Sequence, residues 1–117
     1  MTQQAKARGK LAEALGADYL QRRGLRLLER NYYCRLGEID LILVDGVVLV
    51  FAEVRLRSNR DFGGAAASVT SAKRQRILKA ARHYLMGKAE TDCRFDVVLL
   101  DALDPDRIEW IKDAFGE

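Results

Sequence analysis

The chain has little of what many small specialised proteins depend on. Its 117 residues include two cysteines, one proline, one tryptophan and one histidine. Cys34 and Cys93 lie far apart, with no Cys-x-x-Cys pair and no neighbouring histidine. Neither a zinc site nor a disulfide framework is indicated, and the two read as reduced thiols of a cytoplasmic protein. His83 has no partner at triad or metal-ligand spacing and reads as structural or surface. No apolar run exceeds the length of a strand, so no membrane-spanning helix is expected. The opening Met1-Thr-Gln-Gln-Ala-Lys lacks the apolar stretch of a secretory signal. There is no repeat and no low-complexity segment. Neither sign of charge dominates: 20 Lys and Arg stand against 17 Asp and Glu. The net charge of +3 and pI near 9.0 suit a polyanionic partner, although where the charges sit matters more. With 49% hydrophobic residues the chain has material for one core, and a single domain over residues 1–117 is expected.

What is present concentrates in one stretch. Gly37-Glu-Ile-Asp-Leu-Ile-Leu-Val and Val47-Val-Leu-Val-Phe-Ala-Glu-Val-Arg-Leu-Arg57 are strand-like runs separated by Asp45-Gly46, a pair suited to a type I′ hairpin turn. That turn would set Val44 against Val47, Asp40 against Phe51 and Glu38 against Glu53. Side chains alternate along a strand, so Glu38, Asp40, Glu53, Arg55 and Arg57 would leave one face, at the end away from the turn. The other face, from Ile39 through Leu56, has no polar residue and belongs in a covered sheet. Asp40 and Glu53 would be diagonal neighbours ~7–8 Å apart at the backbone. Carboxylates that close are destabilising in low dielectric unless one is protonated or a cation intervenes. The cation can be a guanidinium, in a partly solvated ion-pair network, or a divalent ion held by oxygen ligands. Both readings stay open on the pattern alone.

The other elements frame this hairpin. A helix is expected over about 5–23, with Leu11, Leu15 and Tyr19 in its apolar stripe and Gly24 as its stop. Glu13 lies between Gly9 and Gly16, small residues that would let the helix approach the sheet. Residues 25–33 read as a strand, with Tyr32 and Tyr33 as core or rim. A polar, glycine-bearing loop at 58–64 would border the acidic end. A second helix is expected over about 70–86, capped by Thr70 or Ser71. Its opening turns carry Lys73, Arg74 and Arg76, against the sense of the helix dipole; a docked phosphate would relieve the conflict. Strands follow at 95–100 and about 107–111, with Pro105 in the turn between them. Asp92, Asp96 and Asp101 read as strand-end and turn acids, and Trp110 and Phe115 as core or cover. The order describes an α/β sandwich with a mixed central sheet flanked by helices.

The run Gly37-Glu-Ile-Asp40, then Phe51-x-Glu53-Val-Arg55-x-Arg57, resembles the hallmark of the YraN-type proteins, the UPF0102 family. So do Gly9-x-x-Ala-Glu13, Tyr19-Leu20, Arg30-Asn31, Lys73-x-x-x-Ile77 and Arg94-Phe-Asp96-Val. That family is related to restriction-endonuclease-like nucleases, particularly Holliday-junction resolvases, whose signature is an Asp followed by Glu-x-Lys on a hairpin. The resemblance implies a metal-dependent nuclease acting on DNA, branched or structured, with a homodimer as one expected assembly. Asp40, Glu53 and the main-chain carbonyl of Val54 would hold Mg²⁺ or Mn²⁺, and Glu13 would match the helix acid of the resolvase branch. Arg57, Lys73, Arg74 and Arg76 would meet the nucleic acid. One position departs: the signature lysine is Arg55. Arginine can clamp a phosphate but cannot act as a base. Turnover then depends on the ion activating its own water, or on an ammonium from Lys73. A binding module that keeps the fold without cutting is the alternative. An interaction protein in DNA processing or uptake, its acids a salt-bridged relic, is a third.

Overall fold

Helix α1 (Gln3–Arg22) opens the computed structural model, which describes residues 3–56 and 69–116. Gly24 ends it as expected, at φ +96, where glycine carries no side-chain penalty. The N–H of Leu25 bonds the carbonyl of Leu20 and that of Gly24 bonds Gln21, the pair of bonds that defines a Schellman stop. Leu20 and Leu25 are buried in the same apolar cluster, which anchors the exit into the sheet.

Strands β1 (Arg26–Cys34), β2 (Gly37–Asp45) and β3 (Val48–Leu56) follow as an antiparallel meander. Helix α2 (Ser71–Leu85) then crosses over, and β4 (Cys93–Leu100) pairs parallel to β3. Strand β5 (Ile108–Phe115) returns antiparallel on β4. The sheet runs β1-β2-β3-β4-β5 and is mixed, as expected. One apolar cluster joins Phe51, Phe95, Val97 and Leu99 to Ile77, Leu78, Ala80 and Ala81 of α2. A second, on the opposite face, joins Leu41, Leu43, Val50, Val54 and Val98 to Ala12, Ala17 and Leu20 of α1. Burying each large side chain stabilises by roughly 1.5–3 kcal/mol, so both helices are held mainly by the sheet between them. Among the described residues, no helix is long and apolar enough to cross a membrane.

Two glycines set the layer spacing. A Cβ on Gly16 would press within 3.2 Å of Val54, so α1 lies close on β3, as anticipated for this glycine. Gly9 meets no neighbour within 4 Å, and the close approach expected there does not occur. At Gly37 an added Cβ would overlap the Arg76 carbonyl oxygen, so α2 rests directly on the start of β2. Thr70 caps α2, its Oγ1 accepting the N–H of Lys73 at 3.2 Å.

The hairpin register differs from the expected one. Asp45 pairs with Val48 and Leu41 with Ala52, leaving Gly46 and Val47 as the turn. Only Gly46 of the two has positive φ, +64, the requirement of a II′ turn rather than I′. The slip is two residues, so the faces are unchanged from Leu41 to Val54, but Ile39 packs with Ile42 and not, as expected, with Leu41 and Leu43, and Asp40 comes opposite Glu53 instead of diagonal to it. Arg57 and the loop at 58–64 lie outside the described residues.

Strand β5 also runs further than expected. Phe95 faces Phe115 while Val97 faces Ile111, so β5 carries two extra residues there. Asp113 takes φ +53 within this bulge and turns its N–H onto Asp96. Phe115 then stacks on Phe95, ring centroids 5.3 Å apart, in the expected covering role.

Candidate metal and phosphate site

The β2–β3 ladder has its last pair at Leu41 and Ala52, and the acids begin one step beyond. In place of a ladder bond, the Val54 N–H donates to Asp40 Oδ2 at 2.9 Å. The Asp40 carboxylate therefore lies in the plane of the sheet, where the strands part. Strict alternation also fails here. Ile39 packs with Ile42 on the α2 face, while Leu41 and Leu43 pack on the α1 face. Asn31, across β1 between the pairs Arg30–Leu41 and Tyr32–Ile39, has φ +54, a conformation asparagine tolerates better than most residues. Asp40 sits at this break and faces acids from both layers.

Glu53 is the acid on the α2 side. It is 3% exposed and Asp40 8%. Burial first, then the charge of and hydrogen bonding with Asp40, push the Glu53 carboxyl from 4.5 to about 8, against the pull of Lys73. Lys73 Nζ stands 3.2 Å from Glu53 Oε2, and Arg55 Nη1 3.9 Å from the same oxygen. Glu53 Oε1 is buried with no hydrogen-bond partner among the described residues. The anion expected at the opening of α2 is thus in part the protein's own, with Lys73 held over it by the seating of α2 on Gly37.

Glu13 is the acid on the α1 side. Burial, then Asp40, raises its carboxyl above the ordinary value, opposed by a hydrogen bond to Asn31 and by Arg30 and Lys10. Its Oε1 is likewise buried without a partner among the described residues. Among the described residues no three His, Cys, Asp or Glu side chains gather closely enough to hold one ion. Glu13 is therefore beside Asp40 but outside a coordination sphere shared with Glu53.

The donors fit a hard divalent cation of low protein coordination. Mg²⁺ commonly takes only one or two carboxylates and completes its shell with water and phosphate. Asp40 and Glu53 meet that demand, with an unpartnered oxygen on Glu53. The N–H and C=O of one antiparallel residue leave the same edge, so Val54 turns its carbonyl toward Asp40 as well.

The predicted basic residues separate. Lys73 joins the acids. Arg76 is exposed on the adjoining side of α2. Arg74 turns elsewhere: its Nε donates to the Val69 carbonyl at 3.0 Å and its guanidinium lies over the Phe115 ring. The pairing of Tyr32 with His83 was missed by pattern: the Tyr32 hydroxyl hydrogen-bonds His83 Nδ1, which gives that histidine a structural place. Tyr33, by contrast, is 69% exposed. Asn31 was readable only as half of Arg30-Asn31; a lone asparagine inside a strand is the signal that could have marked the break.

Asp96 corrects the sequence reading outright. It is no strand-end acid but the fully buried centre of a network. Arg94 Nε reaches both its oxygens at 3.0 and 3.2 Å, Trp110 Nε1 donates at 2.9 Å, and the Asp113 N–H at 2.9 Å. Arg94 also bonds Asp45 at 2.9 Å. Every bond here is internal, so this acid ties β2, β4 and β5 together.

Fold and site together define a small α/β sandwich with a mixed five-stranded sheet and a buried acidic pair where two strands diverge. Residues 12–100 match the model of the uncharacterised protein family UPF0102, and the chain belongs to that family. A UPF0102 protein of Dechloromonas aromatica is 59% identical over 94% of this chain and 89% of its own length. One from Methylobacillus flagellatus is 52% identical over 90% and 93%. One from Legionella pneumophila is 49% identical over 98% and 97%.

Proposed function

We propose that the protein is a metal-dependent nuclease acting on DNA, related to the restriction-endonuclease-like enzymes, with its site at Asp40 and Glu53. One observation carries this reading. Glu53 is almost wholly buried beside Asp40, keeps one oxygen without a partner, and holds a proton to unusually high pH. Such an arrangement is costly unless something positive enters it.

Asp40, Glu53 and the Val54 carbonyl would hold Mg²⁺ or Mn²⁺. Bound there, the ion would supply charge against a phosphate and lower the pKa of its water. The chain's own groups do the remainder. Asp40 stays oriented by the Val54 N–H. Glu53 would hold the cation as a carboxylate, its proton having passed to solvent. With the cation sharing the charge of Glu53, Lys73 would have its ammonium divided between that carboxylate and the phosphate. Arg55, half exposed at the mouth, offers a fork of donors to the same phosphate but cannot take a proton. Glu13 stands at the rear of the site, where burial and the charge of Asp40 raise its carboxyl above the ordinary value.

A second reading has its own support. Arg55 stands at the lysine position and Lys73 already partly neutralises Glu53, so the protein could hold DNA without cutting it. A thermal melt in EDTA and in Mn²⁺ separates these. With Mn²⁺ at ten times its dissociation constant, stabilisation is about 1.4 kcal/mol, a rise of roughly 5 °C. Asp40→Asn should abolish the rise. A native melting curve indifferent to Mn²⁺, with no nicking of branched DNA, would leave only the binding module.

A further inference from the structure

Helix α2 carries no acid. Along Ser71–Leu85, Lys73, Arg76, Lys79 and Arg82 recur at every third residue, with no Asp or Glu among them. Residues three apart are neighbours on a helix surface, and like charges so placed repel one another. Nothing offsets that repulsion at the middle of the row. Arg76 and Lys79 are exposed and form no ion pair among the described residues, whereas Arg22 is paired with Asp18, and Arg94 with Asp45 and Asp96. The row begins at the acid pair, where Lys73 Nζ stands 3.2 Å from Glu53 Oε2. A helix rises 1.5 Å per residue, so the row runs about 13.5 Å from Lys73 to Arg82.

Beside the row lies a cleft of about 350 Å³ between the β1–β2 turn and α2. Lys73 and Arg76 border it from the helix and Arg35 from the turn. Glu38 is the one acid at its border. It alternates with Ile39 of the α2 face, so its carboxylate turns to the α1 side, as does the ring of Tyr33, its cross-strand partner. Tyr32 and Tyr84 do lie on the α2 side, but they pack edge to face on each other, ring centroids 5.2 Å apart. The cleft and the row therefore offer cations and no aromatic face. A strand held through its bases needs rings to stack on. A duplex keeps its bases stacked within itself and offers its phosphates, which need only charge.

We infer that one backbone of a duplex DNA arm lies along this row, its phosphates met by Arg76 and Lys79 on the helix and by Arg35 across the cleft. At 3.4 Å per base pair the row covers about four base pairs leading away from the acid pair. Contacts to phosphate alone carry no base sequence, so the arm is held whatever it reads. The inference rests on the nuclease reading only for the choice of DNA and for what the acid pair does.

The test is fluorescence polarisation of a labelled hairpin duplex in EDTA over a series of salt concentrations, where no cleavage occurs, with an oligothymidine of equal nucleotide count and an RNA duplex in parallel. The DNA duplex should bind most tightly. Arg76→Gln and Lys79→Gln together should weaken it by about tenfold or more at low salt and lower the slope of log affinity against log salt by about 1.8. Both side chains are exposed, so the double variant should melt no lower than the native protein. Lys112 lies over Trp110 on the α1 side, and Lys112→Gln should leave affinity and slope unchanged. A native slope in the double variant, an equal loss with Lys112→Gln, or tighter binding of the oligothymidine or of the RNA duplex overturns the inference. Row-dependent binding without Mn²⁺-dependent nicking would sink the nuclease reading and leave the row standing. Nicking by a double variant that keeps the native salt dependence would sink the row alone.

Discussion

Glu53 on β3 and Asp96 on β4 lie on neighbouring strands, Glu53 opposite Val97 and Asp96 opposite Ala52. They are 3% and 0% exposed, on opposite faces of the sheet. Their surroundings could hardly differ more. Asp96 accepts from Arg94, Trp110 and the Asp113 backbone, and both its oxygens are used. Glu53 has one oxygen on Lys73 at 3.2 Å, and its other oxygen accepts no hydrogen bond from the described residues. A buried carboxylate that only braces a fold is fully bonded, because each missing partner leaves a desolvation cost unmet. On the proposed reading, the shortfall at Glu53 is what the cation would make good.

The comparison can be broken at its strongest point first. Asp96→Ala should destabilise by about 3–5 kcal/mol in a denaturant melt, since it strands a buried guanidinium and an indole N–H. Mn²⁺ should not rescue it. A loss under 1 kcal/mol would mean that Asp96 does not organise β5.

A smaller effect sharpens the Glu53 side. Unfolded, this carboxyl titrates near 4.5; folded, near 8. Between those values the folded state holds the extra proton, so without metal stability falls as pH rises, by roughly 2–3 kcal/mol once relaxation and water entry are allowed for. Glu53→Gln should remove that slope and be the more stable protein at pH 8 in EDTA. A slope unchanged in the variant would assign the titration to another group. Mildest of all, Trp110→Phe removes one of four bonds to Asp96 and should cost about 1 kcal/mol, with the metal-dependent melt unaltered.

Much of this architecture was legible beforehand. The apolar spacing of Leu11, Leu15 and Tyr19 marked α1, Gly24 marked its end, and Thr70 the start of α2. Asp40 and Glu53 were legible as a converging pair because both belong to one hairpin. The register was not. Asp45-Gly46 suits I′ and Gly46-Val47 suits II′, and a two-residue slip keeps every side chain on its face. Periodicity cannot separate the two, and pairing with the rest of the sheet decides. Asp96 was misread because its partners Trp110 and Asp113 come from a strand whose bulge no local pattern announces. Arg74, read as a nucleic-acid contact from its place in a basic turn, also bonds the Val69 carbonyl and lies over Phe115, contacts that no local pattern announces.

Local covalent order determined the elements, their faces and the presence of two acids within one hairpin, since turn chemistry and side-chain period act over a few residues. The chain folded in space decided that Lys73 stands on Glu53 and that Asp40 lies edge-on between two layers. Those relations join residues twenty or more positions apart, and only the seating of α2 on Gly37 and the kink at Asn31 bring them about.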